Sequence, residues 1–185
     1  MEQLKLVPIN FNQDANFVNQ CLKACIEHLE RHTTDNTVLS VLFLEEQAQK
    51  GNLQIFKGLV DDVPVGMMIL NLFPNSIAEV QAVMIPEKRK GFSLSPRALI
   101  FLKMMADYVF RDLGLYKLKA LVRRMKKNPA EVIARRVGFK KEGILKGEWN
   151  GYTERGDVLI LAYLKSDYEK DNAPSGMIIE EIKES

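Results

Sequence analysis

Apolar residues alternate with polar ones at Leu4, Leu6 and Pro8, which predicts a short first strand over Gln3 to Ile9. The period then lengthens. Phe17, Cys21, Leu22, Cys25, Ile26 and Leu29 recur at helical spacing behind Asp14, a residue able to cap, so a helix is expected to run to about His32. A second helix fits Val38 to Gln49, closed by Gly51. Leu53 to Val60 and Val63 to Phe73 return to strand composition, with Asp61-Asp62 as the tight turn between them. Ile77 to Ile85 follows as a third strand of this series, stopped by Pro86.

Ser95-Pro96 is a cap followed by proline at the first helical position, and predicts a helix to Leu113 ended by Gly114. Its Ala98, Leu102, Met105 and Val109 face is expected to be buried. Tyr116 to Val122 reads as a strand, Asn128 opens a short helix stopped by Gly138, and Phe139 to Trp149 and Asp157 to Leu164 are the last two strands. The order β, α, α, β, β, β, α, β, α, β, β predicts an α/β fold, an α+β sandwich of one sheet with helices on its faces. Residues 1–168 are expected to form one domain, followed by an acidic tail over 169–185.

Composition narrows the class. Hydrophobic residues at 46% and charged residues at 27% exclude disordered, collagen-like and coiled-coil readings. No apolar run approaches a membrane span, and Met1-Glu2-Gln3-Leu4-Lys5 does not open a secretory leader. Two cysteines make no disulfide framework, so the expected compartment is the reducing cytoplasm. Charge is unevenly spread. Between Pro86 and Lys146 there are 17 Lys/Arg against 5 Asp/Glu, which leaves the remainder of a chain of net charge +2 at −10. That third of the chain suits a phosphate-bearing ligand, or simply a solvated basic face.

Within it, the strand Ala78-Glu79-Val80-Gln81-Ala82-Val83-Met84-Ile85 feeds the basic loop Pro86-Glu87-Lys88-Arg89-Lys90-Gly91-Phe92-Ser93 and then a helix N-terminus. Free amides, helix dipole and flanking cations together favour an anion there. Downstream come Asn128, then Gly138-Phe139 and Lys140-Lys141-Glu142-Gly143, and finally Trp149-Asn150-Gly151-Tyr152 turning into the last strand.

On these residues the chain resembles the GNAT superfamily of acyl-CoA-dependent N-acyltransferases, most of all the branch that acetylates N-termini of ribosomal proteins. The resemblance runs from about Leu4 to Tyr168 and is strongest from Ala78 to Leu164. It implies a mixed, mostly antiparallel central sheet flanked by helices, acetyl-CoA as co-substrate, a small-molecule or peptide amine as acceptor, and no metal. The family's pyrophosphate loop, Gln/Arg-x-x-Gly-x-Gly/Ala, falls on Lys88, Arg89, Lys90, Gly91, Phe92 and Ser93. Lys88 and Ser93 depart from that pattern, and Leu94 to Arg97 makes the following segment about two residues longer than the family norm. The resemblance further implies that Val83 and Ile85 lie along the thioester, with a strand amide near Val83 stabilising the oxyanion, and that Asn128 opens the second cofactor helix. Glu79 falls where the histone-acetylating branch places its general base. The family's usual tyrosine acid is missing from Val132 to Val137, so Tyr152, Tyr116 or water takes that place, Tyr152 being the candidate. These departures support an alternative, in which the fold persists as a catalytically lapsed structural or binding module within a multiprotein or viral assembly.

Other features weigh less. Cys21, Cys25, His28 and His32 share a helical stripe, but eleven residues of helix span roughly 16 Å, too far for one zinc. Arg123-Arg124-Met125-Lys126-Lys127 lacks interleaved aromatics and any accompanying motif, so nucleic acid is not an expected partner. Glu27, Glu30, Glu45 and Glu46 on the first two helices would favour a cationic acceptor if they face the cleft. Ala173-Pro174-Ser175-Gly176 reads as a linker to an apolar patch, Met177-Ile178-Ile179 with Ile182, either a frayed terminus or a docking segment for a partner or a second copy of the chain.

Overall fold

Seven strands make one sheet, in which β1 (Leu4–Pro8), β2 (Leu53–Val60), β3 (Val63–Phe73), β4 (Ile77–Met84), β5 (Lys117–Arg123), β7 (Arg155–Leu164) and β6 (Lys140–Asn150) lie side by side in that order. All neighbours are antiparallel except β4 and β5, which run parallel. Helices α1 (Phe11–Leu29), α2 (Val41–Gln49), α3 (Pro96–Asp107), α4 (Pro129–Val137) and α5 (Lys165–Asp171) flank the sheet. This computed structural model describes residues 3–29, 41–84, 96–126, 128–150 and 155–172. The mixed, mostly antiparallel sheet with helices on its faces is the architecture expected from the sequence. No described helix is long and apolar enough to cross a membrane.

Strand alternation sorts side chains into two cores. Ala78 and Val80 of β4 join a larger cluster with Phe101, Met105 and Val109, while Val83 points the other way into a smaller one with Val18, Cys21 and Leu22 of α1 and Leu44 of α2. Each Val, Leu, Phe or Met among them contributes about 1.5–3 kcal/mol on burial. The smaller cluster accounts for Cys21, which is fully buried and makes no disulfide. The side chains of Cys25 and His28, and all of His32, lie outside the described residues.

The β2–β3 hairpin turns on Asp61 and Asp62, at φ 49° and 63°, the left-handed pair that a two-residue turn demands. Helix α1 begins four residues earlier than a cap at Asp14 predicts. Asn10 accepts the Asn12 amide through Oδ1 at 3.1 Å, and the Asp14 carboxylate accepts the Asn10 amide at 3.1 Å, a reciprocal cap in which Asp14 sits in the first turn. Its other oxygen takes Lys57 Nζ of β2 at 2.6 Å. Burial pushes the Asp14 carboxyl up, but the Lys57 and Asn10 hydrogen bonds outweigh it and hold the group below the usual carboxylate range. The expected extensions of α1 to His32 and of α2 back to Val38 fall outside the described residues.

Two features were not anticipated. Helix α3 does not continue to Leu113 as α-helix but widens into a π-helical turn over Tyr108–Asp112, where the Leu113 amide bonds the Tyr108 carbonyl at 3.0 Å. Helix α5 follows β7 directly and runs on past Tyr168, where the domain was expected to end. Tyr168 is 5% exposed and packs against Phe110 and Tyr163.

These tyrosines stitch the C-terminal helix down. Tyr168 donates its hydroxyl to Asp107, and Tyr163 donates to Asp171 at 2.8 Å. Burial, reinforced by the bond to Asp107, pushes the Tyr168 phenol up to about 12, and burial with the Asp171 bond raises Tyr163 as well. The unfolded chain therefore loses these protons first as pH rises. Their contribution is intact below about pH 10 and is lost as pH climbs toward the folded-state values. Stability measured by denaturant titration is expected to fall between pH 10 and pH 12, and to fall less steeply in Tyr168→Phe; equal slopes for the two proteins would contradict this account.

Candidate active site

The parallel pair β4–β5 is joined at three positions only: Ile77 with Lys117, Ala78 with Leu118 and Glu79 with Lys119. Beyond Glu79 each strand keeps its outer neighbour. β4 stays paired with β3 through Met84, and β5 with β7 through Arg123. The sheet therefore forks, and along the fork alternate residues of Val80–Met84 present backbone N–H and C=O groups with no ladder partner in β5. Five residues of strand give that edge a length of roughly 16 Å. Unpaired backbone polar groups need a partner, and an extended ligand carrying amides supplies one.

Glu79 stands where the strands part. It is 8% exposed, the one charged side chain among the described residues that is buried to this degree. It is therefore not a strand-end carboxylate facing solvent. Its Oε1 accepts a long hydrogen bond from Gln81 Nε2 at 3.4 Å. No lysine or arginine among the described residues forms an ion pair with it. Lys119, its register partner on β5, instead holds its ammonium 5.4 Å from the ring centroid of Phe73.

Val83 is 5% exposed and wedged in the smaller core, which presses the free arm of β4 against α1. Asn128 caps α4, with Oδ1 accepting the Ala130 amide at 2.9 Å, and its Nδ2 donates to the carbonyl of Arg123, the last residue of β5, at 2.6 Å. Both ends of its amide are thus engaged within the chain, and it fixes the start of α4 to the open end of the fork. Ile85, Lys88, Arg89, Lys90, Gly91, Phe92, Ser93 and Tyr152 lie outside the described residues. Tyr116 is half-exposed and sits beside the closed end of the fork, its amide bonded to the Ser76 carbonyl. On α2, Glu46 pairs with Lys50, while the side chains of Glu27 and Glu30 are outside the described residues. The sequence reading missed Lys119, Phe73 and Gln81, whose relation to Glu79 emerges only from strand register. A separate cavity of 320 Å³, bordered by Lys103, Asp107, Arg136, Gly138 and Tyr163, shares none of the fork's residues.

No protein-family model matches the chain, and no curated protein matches it. Solved structures do. The spermidine N-acetyltransferase of Vibrio cholerae, in complex with CoA and spermine, superposes with a TM-score of 0.72 at 22% identity, over 90% of this chain and 98% of that one. Mycobacterium smegmatis RimJ, in complex with CoA-disulfide, gives 0.68 at 22% identity, over 87% of this chain and 81% of that one. A chimera of the Vibrio cholerae enzyme SpeG with hSSAT gives 0.69 at 25% identity, over 90% of this chain and 98% of that one. This is the GNAT acetyltransferase fold. RimJ, from the branch that the sequence resembles, stands among the neighbours beside spermidine acetyltransferases. Of the candidate site residues, Glu79, Val83 and Asn128 are the ones that the described structure places along the forked sheet.

Proposed function

We propose that this chain is an acetyl-CoA-dependent N-acetyltransferase acting on a primary amine: a peptide N-terminus, a lysine or a small amine. The observation that carries the reading is the buried Glu79, without an ion-pair partner among the described residues, at the point where β4 leaves β5. Pantetheine is an extended chain with two amides, and the free edge of β4 over Val80–Met84 offers the complementary backbone groups. Bound there, acetyl-CoA supplies an activated thioester. Val83 and Ile85 align with it, and Lys88, Arg89, Lys90, Gly91, Phe92 and Ser93 hold its pyrophosphate. Asn128 keeps the first turn of α4 in place beside the open end.

The acceptor reaches the fork as an ammonium ion. Glu79 takes its proton, directly or through a water, and the freed amine attacks the thioester carbonyl. A β4 amide near Val83 receives the developing negative charge. The amide product forms as the C–S bond breaks: Tyr152 gives its proton to the departing thiolate, and the second proton that the nitrogen sheds returns to Tyr152 through water. Positioning supplies most of the rate, and no step calls on a metal. Two cysteines give the sequence no disulfide framework, which supports the reducing cytoplasm as the compartment.

Thermal denaturation with millimolar acetyl-CoA tests the cofactor. Ligand at a hundredfold excess over Kd stabilises by about 2.7 kcal/mol, a rise in Tm of about 5–10 °C for a domain of this size. Gly91→Asp, which sets a carboxylate against phosphate, is expected to weaken the shift. A folded protein that shows no shift would sink the enzyme reading in favour of a structural or binding module, and a shift without transfer to any amine would leave a cofactor-binding protein.

A further inference from the structure

We infer that Lys119 selects the acceptor, a primary amine that carries a carboxylate a few bonds from its nitrogen, either as a free amino acid or as the first residue of a peptide. The inference rests on the catalytic reading of Glu79 and names the class of amine that its site takes. Register sets Glu79 and Lys119 side by side on β4 and β5, and such partners share a face of the sheet. Their neighbours fix which face. Val83 of β4 enters the smaller core under α1 and α2, whereas Ala78, Leu118 and Ala120, which alternate with Glu79 and Lys119, enter the larger core on the far side.

Lys119 does not take Glu79 as its counter-ion. Its ammonium lies 5.4 Å from the ring centroid of Phe73 on β3. Phe73 is in register with Ile77 and Lys119 with Glu79, so the lysine crosses β4 beside Glu79 to reach that ring. Phe73 is 45% exposed, which leaves the charge on open surface. The other lysines that β1, β2 and β5 place on this face are matched within the chain. Lys5 pairs with Asp62 at 2.8 Å, Lys57 with Asp14 at 2.6 Å and Lys117 with Glu142 at 2.5 Å. Among the described residues, Lys119 alone of these four has no carboxylate partner, and it is the one beside the base. Adjacent strands lie about 5 Å apart, so an amine that meets Glu79 brings the atoms a few bonds away against Lys119. A carboxylate there completes the missing pair, an uncharged tail leaves it unmade, and a second ammonium meets like charge. This is the opposite of the cationic acceptor that Glu45 and Glu46 would favour, and Glu46 is already matched with Lys50.

Three four-carbon amines that differ at one end test it, with the full-length chain and acetyl-CoA: 4-aminobutyrate, butylamine and 1,4-diaminobutane. Peptides of one length that begin with Glu, Leu or Lys form a second arm, since a leading Glu sets the same number of bonds between amine and side-chain carboxylate. In at least one arm, kcat/KM for the acid is expected to exceed that for the uncharged amine by about tenfold, and that for the cation by more. The arm that shows it tells a free amino acid from a peptide. Lys119→Met, which keeps an apolar stem over Phe73, should erase the difference chiefly through KM. Lys119→Arg should retain it, and Lys119→Glu should reverse it toward the cation. A lysine that only props Phe73 would move all the amines alike. An acid with no advantage in either arm, or an advantage that survives in Lys119→Met, would overturn the inference and leave the acetyltransferase standing. Transfer to none of these amines would overturn both.

Discussion

Replacing Glu79 with glutamine is expected to lower kcat at neutral pH by about 10²–10³-fold, within the range that a positioned general base contributes. The substitution preserves shape and leaves a partner for Gln81 Nε2, so what it removes is basicity. It also removes a buried charge that no described lysine or arginine neutralises, so the melting temperature should hold or rise. Acetyl-CoA binding, which depends on the strand edge and the loop, should be unchanged. Activity should partly recover as pH approaches the pKa of the acceptor amine, because free amine then enters the fork without needing a base. The measurement is a pH–rate profile of both proteins on one amine. Turnover within twofold of the parent at neutral pH would remove Glu79 from the role and leave deprotonation to solvent.

Gly138→Ala is expected to destabilise the fold by about 3 kcal/mol, from overpacking and a disfavoured positive φ acting together. Gly138 closes α4 at φ 124°, and a Cβ there would lie 2.6 Å from two ring atoms of Tyr163. The ring borders a cavity, but any shift into it disturbs the contacts that fix it. Tyr163 is 1% exposed, its hydroxyl is held by Asp171 at 2.8 Å, and Phe110 and Phe139 flank it with centroids at 5.5 and 5.7 Å. A melting temperature lower by about 6–12 °C should follow. Gly147 provides the control: its φ is also positive, 66°, but a Cβ added there would meet nothing within 4 Å, so Gly147→Ala carries the backbone penalty alone. Equal losses for the two variants would show that the contact with Tyr163 is not what makes Gly138 a glycine.

The sequence discloses what local chemistry decides. Asp61-Asp62 marks its turn because few residue pairs adopt two left-handed conformations in succession, and Asn128 marks a helix start because its side chain replaces a missing backbone partner. The fork is another matter. It depends on pairing between Glu79 and Lys119, about forty residues apart, and on where that pairing stops, which no periodicity encodes. The burial of Glu79 follows from the same non-local geometry. Helix α5 escaped notice because Tyr168 alone enters the core from a polar stretch, too little to set up a helical period. The second duty of Asn128, holding the end of β5 through the Arg123 carbonyl, leaves no trace in composition or spacing.

The π-helical turn at Tyr108–Asp112 bears on how a sheet split along its middle stays in one piece. Tyr108 and Phe110 lie two residues apart, a spacing that sends their side chains to opposite sides of a helical turn. Tyr108 meets Phe56 of β2 edge-on at 5.2 Å, and Phe110 meets Tyr163 of β7 at 5.5 Å and Tyr168 at 4.9 Å. Phe56 belongs to the half-sheet ending in β4 and Tyr163 to the half beginning with β5. The turn therefore works as a clamp across the fork, gripping one leaf with each aromatic ring, and the three-residue seam between β4 and β5 does not have to hold the leaves together alone.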